Sequence, residues 1–162
     1  MFEMLGNQFF MVRNYGRAAE MLQQASWKDP RNKLIRRKLV ICYTQTGEVD
    51  KALENFTRLI NEDFDFIADI DPVAEDCPCS GLVYDMEEQM PQNQDSPDFH
   101  LILGMLWLYC DLERSLGHFL RARQLNPADE RLKSIILLIQ SRLDKTEKAH
   151  SPGTGRPRVS QR

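Results

Sequence analysis

Leu5-Gly6-Asn7-Gln8-Phe9, followed at fixed offsets by Ala18, Leu22, Ala25 and Pro30, is the stretch on which the fold turns, because its spacing returns further along the chain. A second copy in phase has Leu39 and Tyr43, the turn glycine Gly47, then Ala52, Phe56 and Leu59, with Val40 in the slot of Gly6. A third runs from Phe99 through Leu103-Gly104 and Trp107 to Phe119, Ala122 and Pro127. It is one residue short between its halves and has Ser115 in the alanine slot. Leu or Ala at one position carries little information, whereas agreement of three copies at several offsets carries a great deal.

Working outward, the periodicity is helical. Leu112, Leu116, Phe119 and Leu120 fall on one face, and after Pro127 so do Leu132, Ile135, Ile136, Ile139 and Leu143. Asp29-Pro30 and Asn126-Pro127 end helices, because the residue before proline is pushed out of the helical region. Thr46-Gly47 supplies a turn between two antiparallel helices. The spacing predicts helices near 2–13, 16–27, 32–45, 48–62, 97–109, 112–125 and 128–147. Short connections force neighbours to pack antiparallel. The last helix, with Glu130, Arg131, Lys133, Gln140, Arg142 and Lys145 on its polar side, reads as a cap, and Leu137 and Leu138 widen its apolar stripe toward either the preceding repeat or a second copy.

The recurring positions resemble the tetratricopeptide repeat (TPR), whose pattern of Leu-Gly, aromatic, Ala and Pro recurs in about 34 residues. The resemblance covers residues 1–62 and 97–147. It implies an all-α fold of antiparallel TPR hairpins stacked as a short right-handed solenoid, with an acidic irregular insert and a C-terminal capping helix. It also implies a concave groove, lined by the first helix of each hairpin, that takes a peptide or helix of a partner protein. Carried over by phase, the groove positions are Asn7, Phe10 and Met11 in the first repeat, Arg37, Ile41, Thr44 and Gln45 in the second, and Met105 and Tyr109 in the third. The apolar members among them are equally suited to ordinary packing between hairpins. Some relatives clamp the C-terminal carboxylate of heat-shock chaperones with Lys, Asn and Arg; only Asn7 matches, while Glu3 and Asp98 stand where acids repel a carboxylate.

Charge is distributed in blocks. Residues 1–58 carry a surplus of four positive charges, residues 59–113 hold fourteen acids and no Lys or Arg, and residues 114–162 carry a surplus of seven positive charges, which leaves the net at -3. The basic-free block contains the segment 63–96 that interrupts the repeats, either an insert or a degenerate hairpin, with a short helix expected from Ser80 to Met90. Its acids suit a solvated connector, an arm for a basic partner, an arm folded across the protein's own basic surface, or a divalent cation, although no EF-hand spacing is present. The repeat domain is expected to span 1–148 and a disordered basic tail 149–162.

Composition narrows the function. The hydrophobic share of 42% and mean hydropathy of -0.47 suit a globular chain, and no apolar run reaches the roughly 18 residues that span a bilayer. Four cysteines without a secretory leader point to reduced thiols and a cytoplasmic location. Cys77-Pro78-Cys79 lacks the two intervening residues of a redox motif and the further ligands of a zinc site. His100, His118 and His150 form no HExxH pair, and the eight glycines build no phosphate loop. No enzyme activity, cofactor or metal is expected. The basic run Arg31, Lys33, Arg36, Arg37 and Lys38 is opposed by the acidic block, so no nucleic acid is expected either. The expected partner is a protein or peptide, with the alternative that the chain is a structural or self-associating subunit, a homo-oligomer whose groove is filled by another copy or by the acidic insert.

Overall fold

Capping side chains set where the helices start. In the computed structural model, which describes residues 1–75 and 77–155, Asn14 Oδ1 accepts from the Arg17 N–H at 3.3 Å and opens α2 (Tyr15–Lys28). Asn32 Oδ1 accepts from the N–H groups of Leu34 and Ile35 at 3.0 and 3.4 Å and opens α3 (Lys33–Gln45). Each such acceptor satisfies donors that the first turn leaves free. The first helix, α1 (Phe2–Met11), needs no side-chain cap, and α4 is Val49–Glu62. Asp29 and Asn126, each before a proline, leave the helical region at ψ 72° and 79°, which ends α2 and the later α9 where the sequence expects.

The described residues form an all-helical stack without strands. α1 pairs with α2 and α3 with α4, and α2 packs on α3. The third hairpin is α8 (Pro97–Trp107) with α9 (Leu112–Leu125), opened by Ser96 and Asp111, whose side chains accept from backbone N–H groups of the first turns. α4 packs directly against α8, so the second and third hairpins adjoin. Between them lie only the short helices α5 (Asp65–Ala68), α6 (Cys79–Glu87) and α7 (Met90–Asn93). No further hairpin intervenes among the described residues, so residues 63–96 are looped out of a continuous stack.

The core follows the repeat offsets. Leu22, Phe56 and Phe119, one from each second helix, are wholly buried, and the Phe56 and Phe119 rings lie 5.7 Å apart across the seam between hairpins two and three. Ser115, in the alanine slot, donates its hydroxyl to the Gly104 carbonyl at 2.6 Å and is therefore satisfied though fully buried. The one-residue shortfall of the third copy falls at a defined place. The first two hairpins turn through a left-handed residue just before the second helix, Arg13 at φ 62° and Gly47 at φ 80°. The third has no counterpart, because Asp111, at φ -153°, caps α9 directly after Cys110.

The last helix, α10 (Leu132–Gly155), packs on α9 with Leu132, Ile135, Ile136 and Ile139 buried. It starts later than the periodicity from Ala128 predicts, because the Asp129 carboxylate accepts from the Arg131 N–H at 3.1 Å and holds residues 127–131 in a turn. It also runs past residue 148, where the tail is expected to begin, to Gly155. The remainder of the expected tail, 156–162, lies outside the described residues.

Candidate interaction groove

The face that the repeat phase assigns to a groove carries the chain's own acidic segment. Arg37 on α3 is the junction. Its Nη1 donates to the Phe66 carbonyl at 2.8 Å, its Nη2 to Glu75 Oε1 at 2.8 Å, and its guanidinium lies 4.3 Å over the Phe66 ring. The Arg37 carbonyl in turn accepts from the Tyr109 hydroxyl at 2.9 Å, which ties α3 to the turn after α8. Tyr109 is so deeply enclosed that burial pushes its hydroxyl well above its ordinary pKa. A carbonyl, a carboxylate and an aromatic face compensate the charge of Arg37, which is how it tolerates being only 7% exposed.

The rest of the segment follows the same face. Gln45, at the end of α3, donates toward Met86 Sδ at 4.0 Å. Tyr84 stands edge-on to Trp107 at 5.9 Å, and α6 packs along α8 with Cys79 and Val83 wholly buried. Cys77, Pro78 and Leu82 border Arg13 and Tyr15 of the first hairpin across one shallow cavity. The segment thus reaches all three hairpins.

Of the nine groove positions read from the sequence, Phe10, Arg37, Ile41, Thr44, Met105 and Tyr109 are buried. Gln45 is half-buried, and Asn7 is held by Lys38 Nζ, which donates to its Oδ1 at 2.8 Å. Phe10 packs edge-on against Tyr15 at 5.9 Å. Only Met11, 62% exposed, is open to a partner in this arrangement. Arg37 thus meets Tyr109, and Arg37 and Gln45 contact residues of the chain's own acidic segment in this arrangement.

The charge blocks explain why. Lys33 pairs with Asp63 at 3.1 Å, and Arg36 grips both Glu62 oxygens at 2.6 and 3.2 Å. Arg142 on α10 pairs with Asp65, and Arg121 on α9 with Asp95 at 3.3 Å. Hydrogen bonds from Arg36 and Arg142 hold the Glu62 and Asp65 carboxyls below their ordinary pKa. The basic run 31–38, which suggested a phosphate surface, spends Lys33, Arg36 and Arg37 on the block that follows it.

Two clusters were not legible as clusters. His100 and His118 stack with Nδ1 atoms 3.1 Å apart. Because the Gln94 carbonyl must accept from His100 Nε2, at 2.9 Å, neutral His100 offers Nδ1 as acceptor to the His118 Nδ1–H. Burial first, then His100 and Arg114, push His118 down to about 4. Cys77 and Cys79 come together with Cys110, which lies far along the chain. No group of three or more His, Cys, Asp or Glu able to hold a metal ion occurs among the described residues.

A family model for the tetratricopeptide repeat matches residues 10–71. This stretch is tetratricopeptide repeat. The match runs from the end of α1 through α5, and the third hairpin, outside it, repeats one close approach of the first, with Gly104 facing Phe119 as Gly6 faces Leu22. No curated protein matches the chain. TPR units generally mediate contacts between proteins and are typically non-catalytic. No described helix of the chain is long and apolar enough to cross a membrane.

Proposed function

We propose that the chain is a non-catalytic interaction module whose TPR groove is held by its own acidic segment, and that a peptide or helix of a partner protein binds by taking that segment's place. The observation that carries this is the set of contacts on Arg37. A backbone carbonyl, a carboxylate and an aromatic ring from residues 66–75 satisfy it as a bound peptide would. Apolar anchors from α6 do the same for α8. The chemistry of the occupant predicts that of the partner: an acidic segment with apolar anchors, recognised by Arg37, Gln45 and the surface around Trp107.

Because α4 already packs on α8, replacing residues 64–95 by a short Gly-Ser linker leaves the stack intact and uncovers the groove. A synthetic peptide of residues 63–87 is then expected to bind this shortened chain in trans, more weakly at high salt, and to lose binding when Arg37 is changed to Glu. A folded shortened chain that ignores the peptide would reject the groove. Captured second copies of the intact chain, sensitive to the same substitution, would instead favour the self-associating subunit.

A further inference from the structure

The two histidines of the third hairpin meet at their inner ring nitrogens and are backed at their outer ones. His100 on α8 and His118 on α9 bring their Nδ1 atoms to 3.1 Å, with the ring planes 28° apart. His100 Nε2 donates to the Gln94 carbonyl at 2.9 Å, and His118 Nε2 stands 3.9 Å from Glu87 Oε1. Both backing groups belong to the acidic segment, Glu87 at the end of α6 and Gln94 just after α7. A cavity of about 530 Å³ opens beside the pair, lined by Glu87, Met90 and Gln94 from the segment and by Arg114, Gly117 and Arg121 from α9.

The pair is left with one mismatch. Neutral His100 uses its proton on Gln94, so the proton between the rings belongs to His118 Nδ1. The lone pair of His118 Nε2 then faces the Glu87 carboxylate, acceptor against acceptor. A cation bound to the two Nδ1 atoms removes this conflict. It takes the place of the shared proton, and His118 adopts its other tautomer, with Nε2–H donating to Glu87. Each imidazole then ligates through Nδ1 and donates through Nε2 to a carbonyl or a carboxylate, the backing that metal-bound histidines almost always have. The spacing suits one ion as well, because two nitrogens bonded at about 2.0–2.1 Å to a tetrahedral ion stand about 3.3 Å apart. The arginines on the cavity wall are turned to other groups, Arg114 to the Trp107 ring at 4.7 Å and to Asp111 at 3.9 Å, Arg121 to Asp95 at 3.3 Å.

We propose that His100 and His118 form a binding site for a divalent transition-metal ion such as zinc. Imidazole nitrogens suit zinc, copper, iron and nickel, whereas calcium and magnesium take oxygen ligands. Two imidazoles fill two positions on the ion, and the cavity has room for the waters, or for the donor of a partner chain, that fill the rest. With two ligands from the protein the ion is exchangeable, unlike a structural zinc enclosed by four. It acts as a clasp. The rings come from α8 and α9, and the groups behind them come from the acidic segment, so binding fastens Glu87 and Gln94 to the third hairpin. The site stands whether or not a partner protein displaces that segment.

The test adds zinc to the full chain carrying isotope-labelled histidine nitrogens. Magnetic resonance is expected to show the Nδ1 signals of His100 and His118 shifting together, with both Nε2 protons retained. Shifts confined to His150, or none at all, overturn the site. Cobalt is the second probe, because thiolate ligation gives an intense near-ultraviolet band that imidazole ligation lacks. A cobalt spectrum without that band, lost in His118→Gln, supports the pair. A thiolate band that persists in His118→Gln assigns the ion to the free cysteines and overturns it. The resonance measurement needs no variant, so it decides the matter even where His118→Gln fails to fold. Glu87 is a positioning residue. Glu87→Ala is expected to weaken zinc binding by about 10–100-fold, and Glu87→Gln, which keeps an acceptor, to recover part of the loss. Equal zinc affinity in the wild-type and Glu87→Ala chains would overturn the tautomer exchange on which the assignment is built.

Discussion

At the scale of single residues, the Leu-Gly pair of the repeat is a statement about distance. A Cβ on Gly104 would lie 2.9 Å from three atoms of the Phe119 ring, and one on Gly6 would lie 2.6 Å from Leu22 Cγ. Both facing side chains are wholly buried and have nowhere to retreat. Gly104→Ala is therefore expected to destabilise by about 1–3 kcal/mol through overpacking. Gly117→Ala is the control: it lies in α9, two residues before Phe119, with nothing within 4 Å of the added atom. It should be neutral or stabilising by up to about 1 kcal/mol, since glycine costs a helix interior that much. Urea denaturation separates them, and equal midpoints for the two variants would remove the packing account of the motif. These glycines were legible because small-residue slots recur at a fixed offset. The burial of Arg37 was not: a lone arginine on a predicted groove face carries no sign of whether a partner or its own chain will satisfy it.

At the scale of elements, the irregular segment is where the sequence reading ran short. The apolar side of Leu82, Val83, Met86 and Met90 did mark a short helix, which appears as α6 with Val83 wholly buried and Leu82 and Met86 packed on the core, but it ends at Glu87, and Met90 opens α7 instead. The absence of Lys and Arg from 59–113 marked a block with a debt of charge to its flanks. Which cation meets which acid depends on where three short helices land, and residue spacing says nothing about that. The pairing has a pH signature. Glu62 and Asp65 are held below their ordinary values of 4.5 and 3.8 by hydrogen bonds from Arg36 and Arg142. A carboxylate with a lowered folded pKa stabilises above its unfolded value and loses that contribution as pH falls through the folded one. The carboxylate share of stability should thus be flat near neutrality and decline on acidification below the ordinary carboxylate values, added to the loss from His118, which begins as pH falls below the ordinary histidine value. Arg142→Ala removes the Asp65 share, so its urea midpoint should fall less between about pH 6 and pH 3 than that of the wild-type chain. Parallel curves would show that Asp65 contributes nothing to docking.

At the scale of the whole molecule, stability in a stack of repeats is a sum of hairpins and the interfaces between them. The seam between hairpins two and three must hold despite the long excursion of chain that leaves and re-enters there. Phe119 is central to it, touching Phe56 across the seam and Gly104 within its own hairpin. Phe119→Ala is expected to cost about 3–5 kcal/mol, and to split a single melting transition in two as the N-terminal hairpins uncouple from α8–α10. Calorimetry decides it: one transition, merely shifted, would mean that the segment and not the seam couples the halves. The architecture of the stack followed from the repeat offsets almost unaided, because helical packing is local. The self-occupied face is built from contacts distant in sequence, such as Tyr109 with Arg37, and these became visible only in three dimensions.

The placement of the segment's ion pairs also fixes an order in time during synthesis. When Glu62, Asp63 and Glu75 leave the ribosome, their partners Arg36, Lys33 and Arg37 have already been made. The partners of Asp65 and Asp95, which are Arg142 and Arg121, have not. Chains fold from the N-terminus as they emerge. One edge of the segment therefore has its grip while the other waits for α9 and α10, so the segment's last ion pairs are made by the helices that come off last.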